Sequence, residues 1–185
     1  MAALGLPGAI AVFGNAVPIT LQTFGVMLVG SLLGARKGAL SMLVLIALVA
    51  AGLPLLAGGR GGLGVFAGPS VGYLLAWPVA AYVIGRIVEA GRPGYRWTRG
   101  LLANLVGGVA VVYALGIPLQ AWRTGVPLAE TAVLAAAFIP GDLVKAVLAT
   151  GVAGGVHRAM PDLLGTPPGP RDAMEPSDVL GPPPT

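Results

Sequence analysis

The chain contains no cysteine and only one histidine among its 185 residues. The absence of cysteine excludes disulfides, thiolate metal sites and a cysteine nucleophile. One histidine without a cluster of acids predicts no metal site either. His157 stands beside Arg158 at the end of an apolar stretch, which is typical of a cation at a helix C-terminus. We therefore expect neither a metal nor a cofactor.

Charge is also scarce. Asp, Glu, Lys and Arg make up 10% of the chain and hydrophobic residues 56%, whereas soluble domains carry about 25% charged residues. A helix needs about 20 mostly apolar residues to cross a bilayer, and the alternation typical of membrane β-strands is missing. The composition therefore predicts an all-α integral membrane bundle. The charge-free stretches are residues 1–35, 39–59, 61–85 and 100–122.

The motifs of two common enzyme classes are missing as well. The sequence has no HExxH or GxxxxGK[ST] pattern, so it predicts neither zinc-dependent hydrolysis nor ATP hydrolysis by this chain through a phosphate loop. A GxGxxG pattern at residues 59–64 follows a membrane span rather than a strand, and the next acid is Glu89. A dinucleotide site needs a preceding strand and an acid about 20 residues later. We expect a protein that is not an enzyme.

Helix-breaking residues and charges divide the apolar sequence into about six membrane helices, all within a domain covering residues 1–160. Residues 128–139 precede Pro140, which disfavours helix at Ile139, so we expect them to lie along the outer face or to re-enter. Residues 161–185 hold eight of the 17 prolines and a net charge of −3; they predict a disordered cytoplasmic tail. The six predicted spans are 2–13, 20–35, 39–56, 70–85, 101–115 and 140–157.

Positive charge predicts the orientation of these spans. With six crossings, Arg60 and Arg123 fall on one side. Because cytoplasmic loops carry the excess of Lys and Arg, we expect both termini in the cytoplasm and the glycine loop around Arg60 outside. The basic net charge then reflects topology, and no nucleic-acid partner is expected. The other side receives seven cations: Arg36, Lys37, Arg86, Arg92, Arg96, Arg99 and Arg158.

Asp142 and Lys145 are the central candidates for a functional site. Spaced by three, they share one face of the last predicted helix. Each charge costs roughly 2.5–3.5 kcal/mol in lipid, so such residues face a bundle interior or a cavity. The pair has two interpretations, an ion pair that only fixes packing and a functional site, and intramembrane ionisable residues favour the second. Asp142 also follows Pro140 in the first helical turn, where the helix dipole stabilises an anion.

Other polar and aromatic residues are candidate ligand contacts. Each has a plainer interpretation: a flexible connector for the glycine loop, a bond between helices for the buried amide, and interface anchors for the aromatic rings. With the acid and the amine, they suit a small zwitterionic or anionic solute. These candidates are Arg60 and Gly61 in the loop, Asn104, Thr20 and Gln22, and Tyr73 and Trp77.

Several ordered motifs resemble the BioY family, the biotin-specific substrate-capture (S) components of energy-coupling factor transporters. The resemblance implies a six-helix fold in the cell membrane that binds biotin with high affinity from outside and has no catalysis of its own. It also implies a transmembrane coupling subunit and ATPase subunits as partners. The motifs are VPITLQT at 17–23, LGARKGALS at 33–41, GLP at 52–54, the glycine loop at 58–64, GPSVGY at 68–73, Asn104, and PGD at 140–142 with Lys145.

The resemblance further implies roles for single residues. Asp142 would accept a ureido N–H of biotin and Asn104 would complement the same ring. Lys145 would compensate Asp142 or meet the biotin carboxylate, for which Arg60 competes, and this choice stays open. Tyr73 and Trp77 would line the apolar part. The alternative hypothesis is a proton-coupled secondary transporter that uses Asp142 as a relay, although no internal repeat supports it.

Overall fold

The protein structure, a computed structural model, describes residues 20–91 and 94–160, and all regular elements in these ranges are helical. The all-α prediction is confirmed for them. The predicted span 2–13 and the tail 161–185 lie outside the described residues. The elements are α1 (Gln22–Ala50), a 3-10 turn (Leu63–Ala67), α2 (Val71–Glu89), α3 (Trp97–Leu105), a π-helical turn (Val106–Val111), α4 (Val112–Thr124), α5 (Leu128–Ala136) and α6 (Ile139–Ala159).

Helix α1 is interrupted at Gly34, whose φ of 76° and ψ of −175° are not helical. A positive φ is accessible to glycine without a Cβ clash. Gln22 accepts a hydrogen bond from the Ala57 amide at 3.2 Å, although an unbroken 29-residue helix would separate its two ends by about 43 Å. The chain therefore reverses at Gly34, and two arms, residues 22–33 and 35–50, lie side by side.

The reversal falls earlier than the sequence predicted. We expected the first of these spans to end at Ala35 and the next to begin at residue 39, after Arg36 and Lys37. Instead, both cations lie in the first turn of the second arm, because only Gly34 adopts the backbone conformation that a sharp reversal requires. The second arm also ends at Ala50 rather than at residue 56.

Side chains from two other helices cap the break. In a continuous helix the Ala35 amide would donate to the Ser31 carbonyl. Here that amide donates to Glu89 Oε1 at 2.9 Å, and the carbonyl lies 2.9 Å from His157 Nε2. Because a carbonyl only accepts, this histidine nitrogen carries the proton. Helices α2 and α6 thus satisfy both polar groups that the reversal leaves without their helical partners.

Helices α3 and α4 form one long span through the π-helical turn. Asn104 and Tyr113 are nine residues apart and would lie roughly 180° apart on a regular helix. The wider π turn removes about 100° of that rotation because it accommodates roughly one extra residue. Both side chains consequently reach α6, at Thr150 and Asp142.

The predicted end of the first span in this region is wrong, whereas the predicted start of the last span agrees within one residue. The span expected at 101–115 continues to Thr124, because Pro118 is accommodated inside α4, and Gly116 packs directly against the Tyr73 ring. Residues 128–136 form the separate short helix α5, and α6 begins at Ile139, one residue before the predicted start at Pro140.

Within residues 20–91 and 94–160, four helices are long and apolar enough to cross a membrane: Gln22–Ala50, Val71–Glu89, Trp97–Thr124 and Ile139–Ala159. Together with the helical bundle, they indicate a multi-pass membrane protein. The break at Gly34 divides the first of them into two arms, so the predicted division of residues 20–56 into two helices agrees with the structure.

The bundle has two chemically different ends. The Gly34 end, where Glu89 and His157 cap the break, also contains Tyr95, whose ring stacks on that of His157 with centroids 4.9 Å apart. Burial raises the pKa of the Tyr95 phenol, so the hydroxyl stays protonated and donates to the Thr150 carbonyl. The opposite end holds the loop around Arg60, and there Arg123 donates to the Phe66 carbonyl at 3.1 Å.

We expect Gly85→Ala to destabilise the fold. A Cβ on Gly85 would collide with the backbone of Gly34 and Ala35, and overpacking costs about 1–3 kcal/mol. A matched control is Gly151→Ala, where a Cβ meets no atom within 4 Å and helix propensity favours alanine by about 1 kcal/mol. Thermal unfolding in detergent should show a lower Tm for the first variant only; equal Tm values would contradict the close contact.

Candidate ligand-binding cavity

A hollow opens at the end of the bundle opposite Gly34. It offers about 650 Å³ of space, counting the part open to solvent. The first arm of α1, the loop after its second arm, α2, α4 and α6 all contribute to its wall. The lining residues are Thr20, Gln22, Thr23, Leu56, Arg60, Ser70, Tyr73, Leu74, Trp77, Val112, Tyr113, Phe138, Asp142 and Lys145.

An ion pair forms the polar side of this cavity. Lys145 Nζ lies 2.9 Å from Asp142 Oδ1, and the two residues are only 8% and 4% exposed. Both belong to α6, and their spacing of three residues places them on one face as the sequence predicted. The pair is therefore locked together and at the same time faces an open hollow.

Lys145 also ties α6 to the start of α1. Its ammonium donates to the Thr20 carbonyl at 2.7 Å and to Thr23 Oγ1 at 3.2 Å, in addition to Asp142. An ammonium has three donors, so all three are engaged within the described chain. The cation thus orders one edge of the cavity besides neutralising the acid.

Asp142 receives two further hydrogen bonds. Thr23 donates to Oδ1 at 3.3 Å and Tyr113 donates to Oδ2 at 2.5 Å. The Tyr113 ring meets Tyr73 edge to face, with centroids 6.4 Å apart, and Tyr73 donates to Gln120 at 2.8 Å. The carboxylate is therefore held in one orientation by groups from α1, α4 and α6.

The remainder of the wall is mostly apolar. Leu56, Leu74, Val112 and Phe138 are buried residues of the bundle core that also line the cavity. Trp77 is 6% exposed, and its Nε1–H is buried without a hydrogen-bond partner in the described part of the chain. Apolar side chains beside a few fixed polar groups are the usual composition of a ligand pocket.

Gln22 and Arg60 shape the opposite edge. Gln22 accepts from the Ala57 amide and donates to the Leu55 carbonyl at 3.4 Å, so it fixes the loop that follows the second arm of α1. Arg60 is exposed, and its Nε donates to the Ala57 carbonyl at 3.2 Å. Its terminal nitrogens make no hydrogen bond within the described residues, which leaves a cation available at the rim.

The comparisons with known proteins agree with this architecture. The family model described as BioY matches residues 1–162. The chain is 46% identical to the biotin transporter BioY of Rhizobium etli over 152 residues, which cover 80% of this chain and 81% of that protein. It is also 46% identical over 179 residues to the biotin transporter BioY of Rhodobacter capsulatus, covering 88% and 90%. The chain belongs to the BioY family.

A solved structure is similar along most of the fold. The crystal structure of the S-component for biotin from an ECF-type ABC transporter matches with a TM-score of 0.82 and 33% identity, over 85% of this chain and 84% of that one. The predicted family membership is confirmed. Since BioY proteins are transporters, the expectation that this one is not an enzyme is confirmed too, and the alternative of a proton-coupled secondary transporter is not favoured.

Most of the candidate site residues meet in this BioY cavity, although their elements are far apart in sequence. Two candidates do not line it. Asn104 is fully buried between helices, where it accepts from Ser31 at 3.2 Å and donates to Thr150 at 3.0 Å. Gly61 packs under the Leu53 carbonyl, where a Cβ would collide. The candidates that line the cavity are Thr20, Gln22, Arg60, Tyr73, Trp77, Asp142 and Lys145.

The sequence analysis did not single out several residues of the site. Thr23 and Tyr113 hold the acid, while Ser70 and Phe138 complete the wall. An intramembrane tyrosine hydroxyl needs a partner when buried, which was a usable signal for Tyr113. Its direction was hidden, because the π turn changes which side of the helix it occupies.

Removing only one charge of the ion pair should be worse than removing both. Lys145→Met leaves a buried carboxylate without its counter-ion and should cost about 3–5 kcal/mol of unfolding free energy, whereas Asp142→Asn/Lys145→Met should cost less. Denaturant titration in detergent measures both values. Lys37→Met, exposed at the Gly34 end, is the control and should change little. A double variant as unstable as the single one would show that the charges are not coupled.

Proposed function

We propose that this protein captures biotin at the outer face of the cell membrane and delivers it as the S-component of an ATP-driven energy-coupling factor transporter. The observation that carries the proposal is the cavity itself, in which an oriented carboxylate, an available rim cation and an apolar wall converge. The relatives named as biotin transporters and the similar S-component for biotin support the same ligand.

Biotin has a polar ureido ring, an apolar bicycle and a side chain that ends in a carboxylate. An ionised carboxylate offers about four acceptor positions. Asp142 uses three of them, for Lys145, Thr23 and Tyr113, so one stays free for a ureido N–H. This end of the cavity therefore suits the ureido ring.

Arg60 is the better partner for the ligand carboxylate. All three donors of Lys145 are engaged within the protein, whereas both terminal nitrogens of Arg60 are available, and a guanidinium binds carboxylates in a two-pronged geometry. The longest Lys145 bond, to Thr23 at 3.2 Å, is the one that a ureido carbonyl can replace with least loss. We thus assign Arg60 to the carboxylate and Lys145 to Asp142 and the ureido ring.

The apolar bicycle then lies between the two polar ends, against Trp77 and Phe138. A carbonyl or sulfur of the ligand that approached the unpartnered indole N–H of Trp77 would satisfy it, since a buried unpaired donor is unfavourable. Asn104 does not contact the ligand in this arrangement, because its amide is engaged with Ser31 and Thr150.

The membrane arrangement completes the proposal. Arg60 and Arg123 lie at the cavity end, and cations accumulate at the Gly34 end, so the positive-inside rule places the cavity outside and the Gly34 end in the cytoplasm. Six helices with both termini cytoplasmic follow if residues before Thr20 supply one more span. A transmembrane coupling subunit and ATPase subunits supply the energy, since no phosphate loop occurs in this chain.

Arg60→Gln should weaken biotin binding about tenfold but leave the affinity for biotin methyl ester unchanged, because only the free acid loses a charge-assisted hydrogen bond. Isothermal titration calorimetry in detergent gives both Kd values. The control is Arg123→Gln, the other cation at this end, which does not line the cavity. An equal loss for both ligands would contradict the carboxylate assignment, and absence of biotin binding by the unaltered protein would overturn the function.

Asp142→Asn should weaken biotin and its methyl ester to the same extent, because the ureido ring is common to both. In reconstituted vesicles, uptake should require ATP and the coupling and ATPase subunits. Uptake by this chain alone under a pH gradient would instead favour the secondary transporter.

A further inference from the structure

The Gly34 end of the bundle carries a cluster of cations that we call the basic ring. The Ala35–Glu89, Ser31–His157 and Tyr95–His157 contacts join the helix ends there. The cations stand next to these residues in the sequence, so they share the same end of the bundle. Five of its side chains are exposed, and Arg99 is half-buried over Gly91. The basic ring consists of Arg36, Lys37, Arg86, Arg96, Arg99 and Arg158.

The basic ring has no acidic partner within residues 20–91 and 94–160. The ion pair found in these ranges, between Lys145 and Asp142, is at the other end. Glu89 is the acid beside the ring, and its carboxylate accepts the Ala35 amide at the helix break. A patch with about five net positive charges thus faces outward from the end of the bundle.

An acidic segment of the same chain begins where α6 leaves this end. Residues 161–185 contain Arg171 and four acids, a net charge of −3. Helix α6 ends at Ala159, two residues after His157, which is fixed against Ser31. The segment therefore follows Arg158 closely along the chain and carries the opposite sign of charge. The four acids are Asp162, Asp172, Glu175 and Asp178.

We propose that residues 161–185 bind across the basic ring and shield it from anionic lipid headgroups. The length suffices: Asp178 follows Ala159 by 19 residues, which span up to about 60 Å when extended, whereas neighbouring helices are about 8–10 Å apart. Exposed ion pairs contribute only about 0.2–1 kcal/mol each. Their attachment to the same chain raises the effective concentration to roughly the millimolar range, which makes several weak pairs sufficient.

Two properties follow from the weakness of these contacts. They dissociate at high salt, since the Debye length falls from about 10 Å at 0.1 M to about 3 Å at 1 M. The acids of the segment also compete with anionic lipids for the basic ring, because such lipids attract Lys and Arg near a membrane surface. The segment then acts as an internal competitor that lowers the occupancy of the basic ring by lipid phosphates.

The absence of cysteine allows a direct distance measurement. Spin labels at Ser177→Cys in the segment and Ala90→Cys beside the basic ring report their separation by pulsed electron resonance in phosphatidylcholine nanodiscs. We expect a short, narrow distribution at low salt that lengthens in 1 M NaCl. The matched variant, Asp162→Asn/Asp172→Asn/Glu175→Gln/Asp178→Asn, should show the long distribution at both salt concentrations. Identical distributions for the acidic and neutralised segments would overturn the proposal.

A second measurement tests the shielding. In mixed nanodiscs, the neutralised segment should increase phosphatidylglycerol retention around the protein about twofold, and Arg86→Gln/Arg96→Gln should reduce it. Equal retention with and without the four acids would show that the segment does not compete with lipid. The neutralised variant should bind biotin with unchanged Kd, so this inference and the proposed function can fail independently.

Discussion

The structure depends on one requirement, that two opposite charges buried in an apolar bundle must satisfy each other and their remaining hydrogen-bonding groups. Lys145 and Asp142 meet this requirement with partners from three parts of the chain, Thr20 and Thr23 at the start of α1 and Tyr113 on α4. An unpaired charge here would destabilise the fold strongly. The same hydrogen bonds fix the polar side of the cavity, so stability and ligand recognition rest on one network.

The break at Gly34 has a comparable role at the other end. It releases the Ser31 carbonyl and the Ala35 amide from each other, and His157 and Glu89 bind them. Helix α6 is consequently joined to the first arm of α1 near both of its ends, through His157 with Ser31 and through Lys145 with Thr20. Between these contacts, Asn104 of α3 bridges the two helices by bonding to Ser31 and Thr150. These contacts keep Thr20 and Thr23 in register with the acid. The turn at Gly34, although far from the cavity, thereby helps to position the residues that line the cavity.

Much of the candidate site was predictable because buried charge is rare in membranes. Asp142 and Lys145 follow from that rule, and Arg60, Tyr73, Trp77, Gln22 and Thr20 from polar or aromatic character near predicted span ends. Asn104 shows the limit of such reasoning, since an intramembrane amide suits a ligand and a neighbouring helix equally well, and it bonds to Ser31 and Thr150. Gly61 was predicted with its neighbour Arg60, yet it contacts Leu53.

The sequence by itself determined the membrane setting, the all-helical class, the intramembrane ion pair and, through ordered motifs, the BioY family. The length of an apolar stretch and the presence of charged residues within it are local properties, so composition and spacing reveal them. Only the tertiary structure decided where the chain reverses, how the π turn aims Tyr113 at Asp142, and which side chains share the cavity. Those outcomes depend on the angular register between helices, and a single added residue or one glycine with positive φ changes that register without altering the hydrophobic pattern.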